Sequence, residues 1–215
     1  MAGIVIELEK EAMNGSGSLQ DLLRKALVVA RKLKLKDFES WLNKEMKGYS
    51  IDDEVPGYRK FPGEIKAWNP YHGWIAVSTS RGAITIHIPS REPISSLINV
   101  YENSKNNCAV IQISGDLAKR LNSNSDFPIP TNYQAEIPIN AIYAAIDAVR
   151  NIVLDWALVL EENGIKGEGI EFTNEEKKTA LESSTINQYT MNFYGNVDNT
   201  QIQQDTTDSR QSIRR

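Results

Sequence analysis

The stretch PINAIYAAIDAVRNIVLDWALVLEENG, residues 138–164, decides the fold because it predicts the longest single element of the chain. Pro138 suits the first helical position, and Gly164 supplies a stop. A helix over residues 138–163 would be roughly 39 Å long at about 1.5 Å per residue, long enough to form the spine of a domain. The apolar residues that recur at helical spacing along it are Ile139, Ile142, Ile146, Val149, Val153, Trp156 and Leu160.

Two more helices are predicted before this spine. Ser18 has the form of an N-cap, and apolar residues then recur at helical spacing from Leu19 to Leu33. A second period follows over residues 35–49, with Gly48 near its end. The two apolar stripes predict a helical hairpin, and the shorter segment over residues 4–13 adds a third helix.

The middle of the chain is different in character. Residues 56–89 are rich in Gly, Pro, aromatic and β-branched residues, and three stretches, YRKFPGEIKAW, HGWIAVSTS and GAITIHIP, predict strands separated by turns. Shorter elements follow: a helix at 94–101, a strand at 108–113, a helical turn at 116–121, a strand at 133–137 and a last helix at 173–182. We therefore expect an α+β fold: an N-terminal helical hairpin, a small mixed or antiparallel sheet, a long C-terminal helix and then a β-strand tail.

The tail differs in composition from the rest of the chain. Beyond Ser183 the residues are mainly Asn, Gln, Thr and Ser, which predicts an α+β domain over 1–182, a strand or hairpin tail over 183–204 and a disordered C-terminus over 205–215. Alternation places Tyr189, Met191 and Phe193 on one face of a strand. Gly195-Asn196 supplies a turn, after which Val197 and Ile202 can form a return strand.

A two-stranded hairpin is marginal in water, and this one has no Lys or Pro to protect its edges. The pattern favours self-association, in which tails from several copies build a shared sheet. Docking of the tail on its own body is the alternative.

Composition excludes few classes of function. The net charge of −4 gives no global attraction to nucleic acid, and no run approaches the roughly 18 apolar residues that a membrane span requires. One cysteine, Cys108, fits a reducing compartment, and acidic residues in the N-terminal segment argue against a signal peptide. We expect a cytoplasmic protein without membrane contact.

Motifs for cofactor chemistry are missing from the sequence. His72 and His87 lie fifteen positions apart without ligand spacing around them, and there is no phosphate-binding glycine loop or nucleophile elbow. We expect no metal and no cofactor. The sequence does not decide whether the chain is an enzyme, and it favours a noncatalytic role.

Two groups of residues are candidate binding sites. The aromatic stretch WNPYHGW can stack on a base or hold a peptide, although a hairpin corner packed under the helices is the favoured alternative; its candidate binding residues are Trp68, Asn69, Tyr71, His72 and Trp74. The first helical hairpin carries eight basic against four acidic residues, which is either a solvated face or a contact for phosphates; its candidate nucleic-acid contacts are Arg24, Lys25, Arg31 and Lys32.

These residues together resemble the AbiTii domain family of bacterial proteins. The resemblance covers most of residues 1–182 and is carried by LLRKALVVARKLKLKDFESWLNKEMKGY, VPGYRK, WNPYHGW and AIYAAIDAVRNIVLDWALVLEENGI. It implies a setting in abortive infection, antiphage defence or toxin–antitoxin systems, and it brings no catalytic motif. The segment NFYGNVDNTQIQQ is similar to a terminal segment of assorted bacterial conflict proteins, which implies a portable assembly element.

Two hypotheses follow. The first is a noncatalytic defence component that forms a homo-oligomer through its C-terminal strands and presents its body to a protein partner or a phage trigger. The alternative is a toxin enzyme that cleaves nucleic acid, RNA above all, with the basic hairpin as its electrostatic footprint and His72 or a carboxylate assisting cleavage.

Overall fold

The computed structural model describes residues 3–80, 82–104, 107–125, 129–183 and 186. Its helices are α1 (Ile4–Met13), α2 (Leu19–Leu33), α3 (Lys36–Lys47), α4 (Ile94–Asn103), α5 (Gly115–Ser123), α6 (Ile139–Glu162) and α7 (Asn174–Glu182). Its strands are β1 (Lys60–Asn69), β2 (Gly73–Ala76), β3 (Ser78–Thr79), β4 (Gly82–Ala83), β5 (Thr85–Pro89), β6 (Cys108–Ile113) and β7 (Tyr133–Pro138), and a 3₁₀ turn spans Gly57–Arg59. The predicted α+β class, with its N-terminal helical hairpin and long C-terminal helix, is confirmed.

Helix α6 is the spine that its sequence predicts. It has 24 residues and is therefore about 36 Å long. Pro138 is its N-cap and not its first helical residue, a difference of one position. Trp156, fully buried near the middle of the core, stacks on Phe38 of α3 with ring centroids 3.9 Å apart. The helical hairpin is thereby fixed to the spine.

The helical hairpin forms because both of its helices have defined ends and a continuous apolar stripe. The Ser18 hydroxyl accepts a hydrogen bond from the backbone N–H of Asp21 at 3.2 Å, and Lys34 closes α2 in a left-handed conformation with φ of 61°. A helix is also present where residues 4–13 predicted one, and it packs against both α6 and α2. The helical layer buries most of the core.

The sheet is antiparallel throughout. Its strand order is β2-β1-β7-β6, and the first half of β1 also pairs with β5. Strand β1 alternates in burial, so that Phe61 and Ile65 face the core while Lys66 and Trp68 lie on the opposite face. Among the described residues, no helix packs in a hydrophobic cluster against the face that carries Lys66 and Trp68. We call this face the open face.

Two apolar clusters divide the interior. The main cluster joins the helices to one end of the sheet through Phe61 and Ile137. A smaller cluster at the other end of the strands centres on Ile65, Ala67 and Tyr133 and contains no residue of α6. The strands therefore lead from the start of α6 toward a part of the sheet that this helix does not cover.

The described chain ends beside the C-terminus of α6. Thr173 and Glu176 form a capping box at the start of α7, and Ser183 donates a hydrogen bond to Asn163 Oδ1 at 2.9 Å. Ile186 is fully buried in the main cluster. The predicted assembly residues Tyr189, Met191, Phe193, Val197 and Ile202 lie outside the described residues. Among the helices that are described, none combines the length and the apolar character that crossing a membrane requires.

Candidate functional site

The stretch WNPYHGW forms the corner of the β1–β2 hairpin. The Asn69 side chain builds the turn, because its Oδ1 accepts hydrogen bonds from the backbone N–H groups of Tyr71 at 2.9 Å and His72 at 3.1 Å. Gly73 follows with φ of 73°, a left-handed conformation that glycine adopts without a steric penalty. Trp68 and Trp74 are then direct cross-strand partners. The predicted turn is present.

The aromatic side chains of this corner face outward. Trp68 and Trp74 meet edge to face, with ring centroids 5.4 Å apart and an interplanar angle of 66°. Trp68 is 42% exposed and Tyr71 is 91% exposed, so the corner is not buried under the helices. We refer to Trp68, Asn69, Tyr71, His72 and Trp74 together as the aromatic corner.

Polar side chains continue from the aromatic corner across the open face. Lys66 Nζ lies 2.5 Å from Glu136 Oε2, Gln134 donates to Glu136 Oε1 at 3.0 Å, and Gln112 donates to Gln134 Oε1 at 3.4 Å. The hydrogen bond to Glu136 raises the pKa of the Lys66 ammonium above its ordinary value of 10.5. Three strands thus contribute one connected polar row next to the two indoles.

This arrangement suits recognition of a partner. Indole and phenol rings offer large, rigid contact area with a polar tip, and they order at low conformational cost. The neighbouring amides and charges of the polar row supply hydrogen bonds that fix orientation. Sequence reasoning found the aromatic corner but missed Lys66, Gln112, Gln134 and Glu136, because their alignment depends on strand pairing between distant segments.

The four candidate nucleic-acid contacts on the helical hairpin are each paired with a carboxylate. Arg24 contacts Asp21 at 2.7 Å, and Lys32 contacts Glu171 at 2.6 Å. The other two pairs are Lys25 with Glu11 and Arg31 with Glu39. Because acidic partners from α1, α2, α3 and the residues before α7 surround these cations, the basic excess read from the sequence is largely neutralised at the surface.

The two histidines lie apart on the sheet. His72 is in the aromatic corner, and His87 is an exposed residue of β5 opposite Pro62. Within the part of the chain that the structure describes, no three His, Cys, Asp or Glu side chains gather in a metal-binding group.

A buried ionic network lies in the interior of the molecule, between α3 and the start of β1. The side chains of Glu45 and Arg59 are fully buried and form a bidentate ion pair. The Tyr49 and Tyr58 hydroxyls donate to Glu45 Oε1 at 2.6 and 2.8 Å, and Trp41 Nε1 donates to Tyr58 at 3.0 Å. Burial, followed by the Glu45 carboxylate, raises the pKa of both tyrosines above the ordinary value.

Arg59 extends this network to the loop before α4, where its Nη1 donates to the Glu92 carbonyl at 2.7 Å. The network is thus fully occupied with internal partners and joins three segments of the fold. Sequence reasoning missed it. The available signal was the position of Glu45 on the apolar stripe of its helix, between Trp41 and Tyr49, where an acidic residue requires a buried partner.

Comparison with known proteins identifies a family. The AbiTii family model matches residues 3–185, which is most of the chain. Searches of the curated proteins and of the solved structures return no match. The match includes both the aromatic corner and the buried network. The chain therefore belongs to the AbiTii family, which indicates a bacterial protein related to abortive infection and antiphage defence.

Proposed function

We propose that this protein is a noncatalytic, cytoplasmic component of an antiphage defence system that assembles through its C-terminal strands and presents its α+β body to a protein partner or a phage-derived trigger. The observation that carries the proposal is the exposed aromatic corner beside the polar row of the open face. Rigid aromatic side chains at the surface of a monomer are typical of a contact surface.

Two further observations support binding over catalysis. The most strongly interacting ionisable residues, Glu45 and Arg59, are sealed inside the fold, where no substrate reaches them. The basic residues of the helical hairpin are paired with carboxylates, so the hairpin offers little free positive charge to a phosphate backbone.

The self-assembly part of the proposal rests on the sequence of the tail. The alternation of Tyr189, Met191 and Phe193 gives an apolar strand face, and burial of that face against copies of itself or of the body would drive association. Phe193→Asp places a charge on this face and should reduce the solution mass, measured by light scattering, to that of one chain. Ser183 and Ile186 are unchanged in this variant, so the packing of the described core is kept. A variant with the mass of the wild-type multimer would contradict the proposal.

A nuclease assay tests whether the protein is noncatalytic. The full-length protein, incubated with single-stranded RNA and DNA with and without Mg²⁺, should leave both intact. Cleavage by the wild-type protein that disappears in His72→Ala would favour the nuclease alternative.

A further inference from the structure

Strand β6 forms an unprotected edge of the sheet. It is last in the order β2-β1-β7-β6 and, among the described residues, pairs with β7 alone. Its sequence CAVIQI contains no charge, no Pro and no Gly, which are the residues that usually blunt an exposed edge. Val110 is 48% exposed and Ile111 is 43% exposed. The unpaired backbone of β6 is therefore open to addition of another strand.

The two faces of this edge differ in composition: Ala109, Ile111 and Ile113 lie on one face, and Cys108, Val110 and Gln112 lie on the other. Ile111 and Ile113 lie opposite Ala135 and Tyr133 of β7, on the side of the sheet that faces the apolar clusters. Gln112 lies opposite Gln134 in the polar row of the open face. A strand that pairs with β6 gains contact by placing large apolar residues beside the isoleucines, and small residues fit beside Val110 and Gln112.

The tail segment over residues 189–193 has this alternation. Tyr189, Met191 and Phe193 are apolar, and the intervening Thr190 and Asn192 are small and polar. In one orientation the three large side chains continue the apolar side of β6, and the two polar side chains continue the row that contains Gln112. The large apolar side chains of the tail therefore match the isoleucine face of the edge, and its two small side chains would lie beside Val110 and Gln112.

The described chain ends at the opposite end of α6 from the start of β6. Cys108 pairs with Pro138, so β6 begins at the start of α6, whereas Ile186 is held at the end of α6 through Ser183 and Asn163. The two ends of this 24-residue helix are about 36 Å apart. The five residues from Ile186 to Met191 span at most about 18 Å when fully extended. This separation favours pairing of the tail with β6 of another copy.

We propose that residues 189–193 of one copy pair with β6 of a second copy, which extends the sheet across the contact between the two molecules. This inference rests on the proposed self-assembly and names the surface that receives the tail. It differs from a sheet built only of tails, in which β6 would take no part.

Substitution of Ile111 tests the receiving edge. Ile111→Lys puts a charge where the apolar face of the tail would lie, and its side chain is exposed enough for the fold to tolerate the change. The matched control is Val28→Lys, a β-branched residue of similar exposure, 41%, on α2, which packs against the helices α1, α3, α6 and α7. Light scattering should show that Ile111→Lys lowers the mass as Phe193→Asp does, and that Val28→Lys keeps the multimer.

The outcomes separate this inference from the proposed function. If Ile111→Lys stays multimeric while Phe193→Asp is a monomer, the tail assembles elsewhere and the inference is wrong although self-assembly stands. If the wild-type chain is itself a monomer at every concentration, both are wrong.

Disulfide trapping gives a second measurement that does not depend on loss of assembly. Two chains are prepared, both with Cys108→Ser, one carrying Ile111→Cys and the other Met191→Cys, and one is labelled with ¹⁵N. They are refolded together and oxidised, and the linked peptides are identified by mass spectrometry. A disulfide between position 111 of one chain and position 191 of the other is expected. Linkage between two copies of position 191 alone would overturn the inference.

Discussion

At the scale of single residues, the fold depends on one ion pair that is hidden from solvent. Glu45 and Arg59 have no exposed side-chain surface, both tyrosine hydroxyls donate to the Glu45 carboxylate, and the Arg59 guanidinium donates to that carboxylate and to the Glu92 carbonyl. Such a pair adds modest net stability compared with an apolar pair, but removal of one partner leaves a buried charge without compensation.

Glu45→Gln should therefore lower the free energy of unfolding by about 3–5 kcal/mol, because it leaves the Arg59 guanidinium buried without its counterion. Urea denaturation followed by circular dichroism measures this change. Glu39→Gln is the control, since Glu39 pairs with Arg31 at the surface, and a loss of no more than about 1 kcal/mol is expected there. Equal losses in the two variants would contradict this assignment.

Glu9 is a second buried acid, and it differs from Glu45 in its hydrogen bonding. It is 8% exposed, and its Oε1 has no hydrogen-bond partner within the described part of the chain. Burial, followed by repulsion from Glu161, raises the pKa of this carboxyl above its ordinary 4.5. Its charged form is therefore disfavoured in the folded state, and ionisation of Glu9 opposes folding at neutral pH.

Glu9→Gln should stabilise the protein at pH 7, where the wild-type carboxyl is charged in the unfolded state. The gain should shrink as pH falls through the raised pKa and vanish below 4.5, where the carboxyl is protonated in both states. Thermal unfolding of both proteins at pH 7 and pH 4 measures the difference. A gain of the same size at both values would show that charge is not the cause.

At the scale of elements, the first helix is held by a close approach of two backbones. Gly3 precedes α1, and a Cβ at this position would overlap the carbonyl oxygens of Lys166 and Gly167. The backbone N–H groups of Ile4 and Val5 donate to Gly169 and Lys166 at 3.0 and 3.3 Å. The start of α1 is thus hydrogen-bonded directly to the backbone of the turn after α6.

Gly3→Ala should cost about 1–3 kcal/mol of stability, because the added methyl group forces these backbones apart. Gly15→Ala is the control, since no atom lies within 4 Å of a Cβ built there. Chemical denaturation of the two variants should separate them clearly. A Gly3→Ala protein as stable as wild type would contradict the close contact.

The sequence predicts these elements unevenly, for physical reasons. Helix α6 is evident because its apolar period is local and continues over 24 residues. The pairing of both β2 and β5 with β1, and the position of β6 at the edge, depend on contacts between distant segments that no local pattern records. The sequence alone does not show that Glu45 is buried in an ion pair, because its partner Arg59 comes from another element. The aromatic corner was found from its residue types, but its exposure depends on which face of the sheet the helices cover.

At the scale of the whole molecule, the two ends of α6 adjoin different parts of the structure. Cys108 of β6 and Pro138 of β7 pair at the start of the helix, and Ile186, the last residue that the structure describes, is buried near the end of the helix. This separation is the reason why we propose that the tail contacts neighbouring molecules. Clustering would then bring several aromatic corners together, and multivalent contact raises the apparent affinity for a repeated trigger.

Assembly through the tail is tested by the solution mass of the full chain, compared with that of a truncation ending at Ile186, which keeps the buried isoleucine. Light scattering should give a multiple of 24.1 kDa for the full chain and a single-chain mass for the truncation. A full chain that scatters as a monomer, or a truncation that remains a multimer of the same number of copies, would contradict the account.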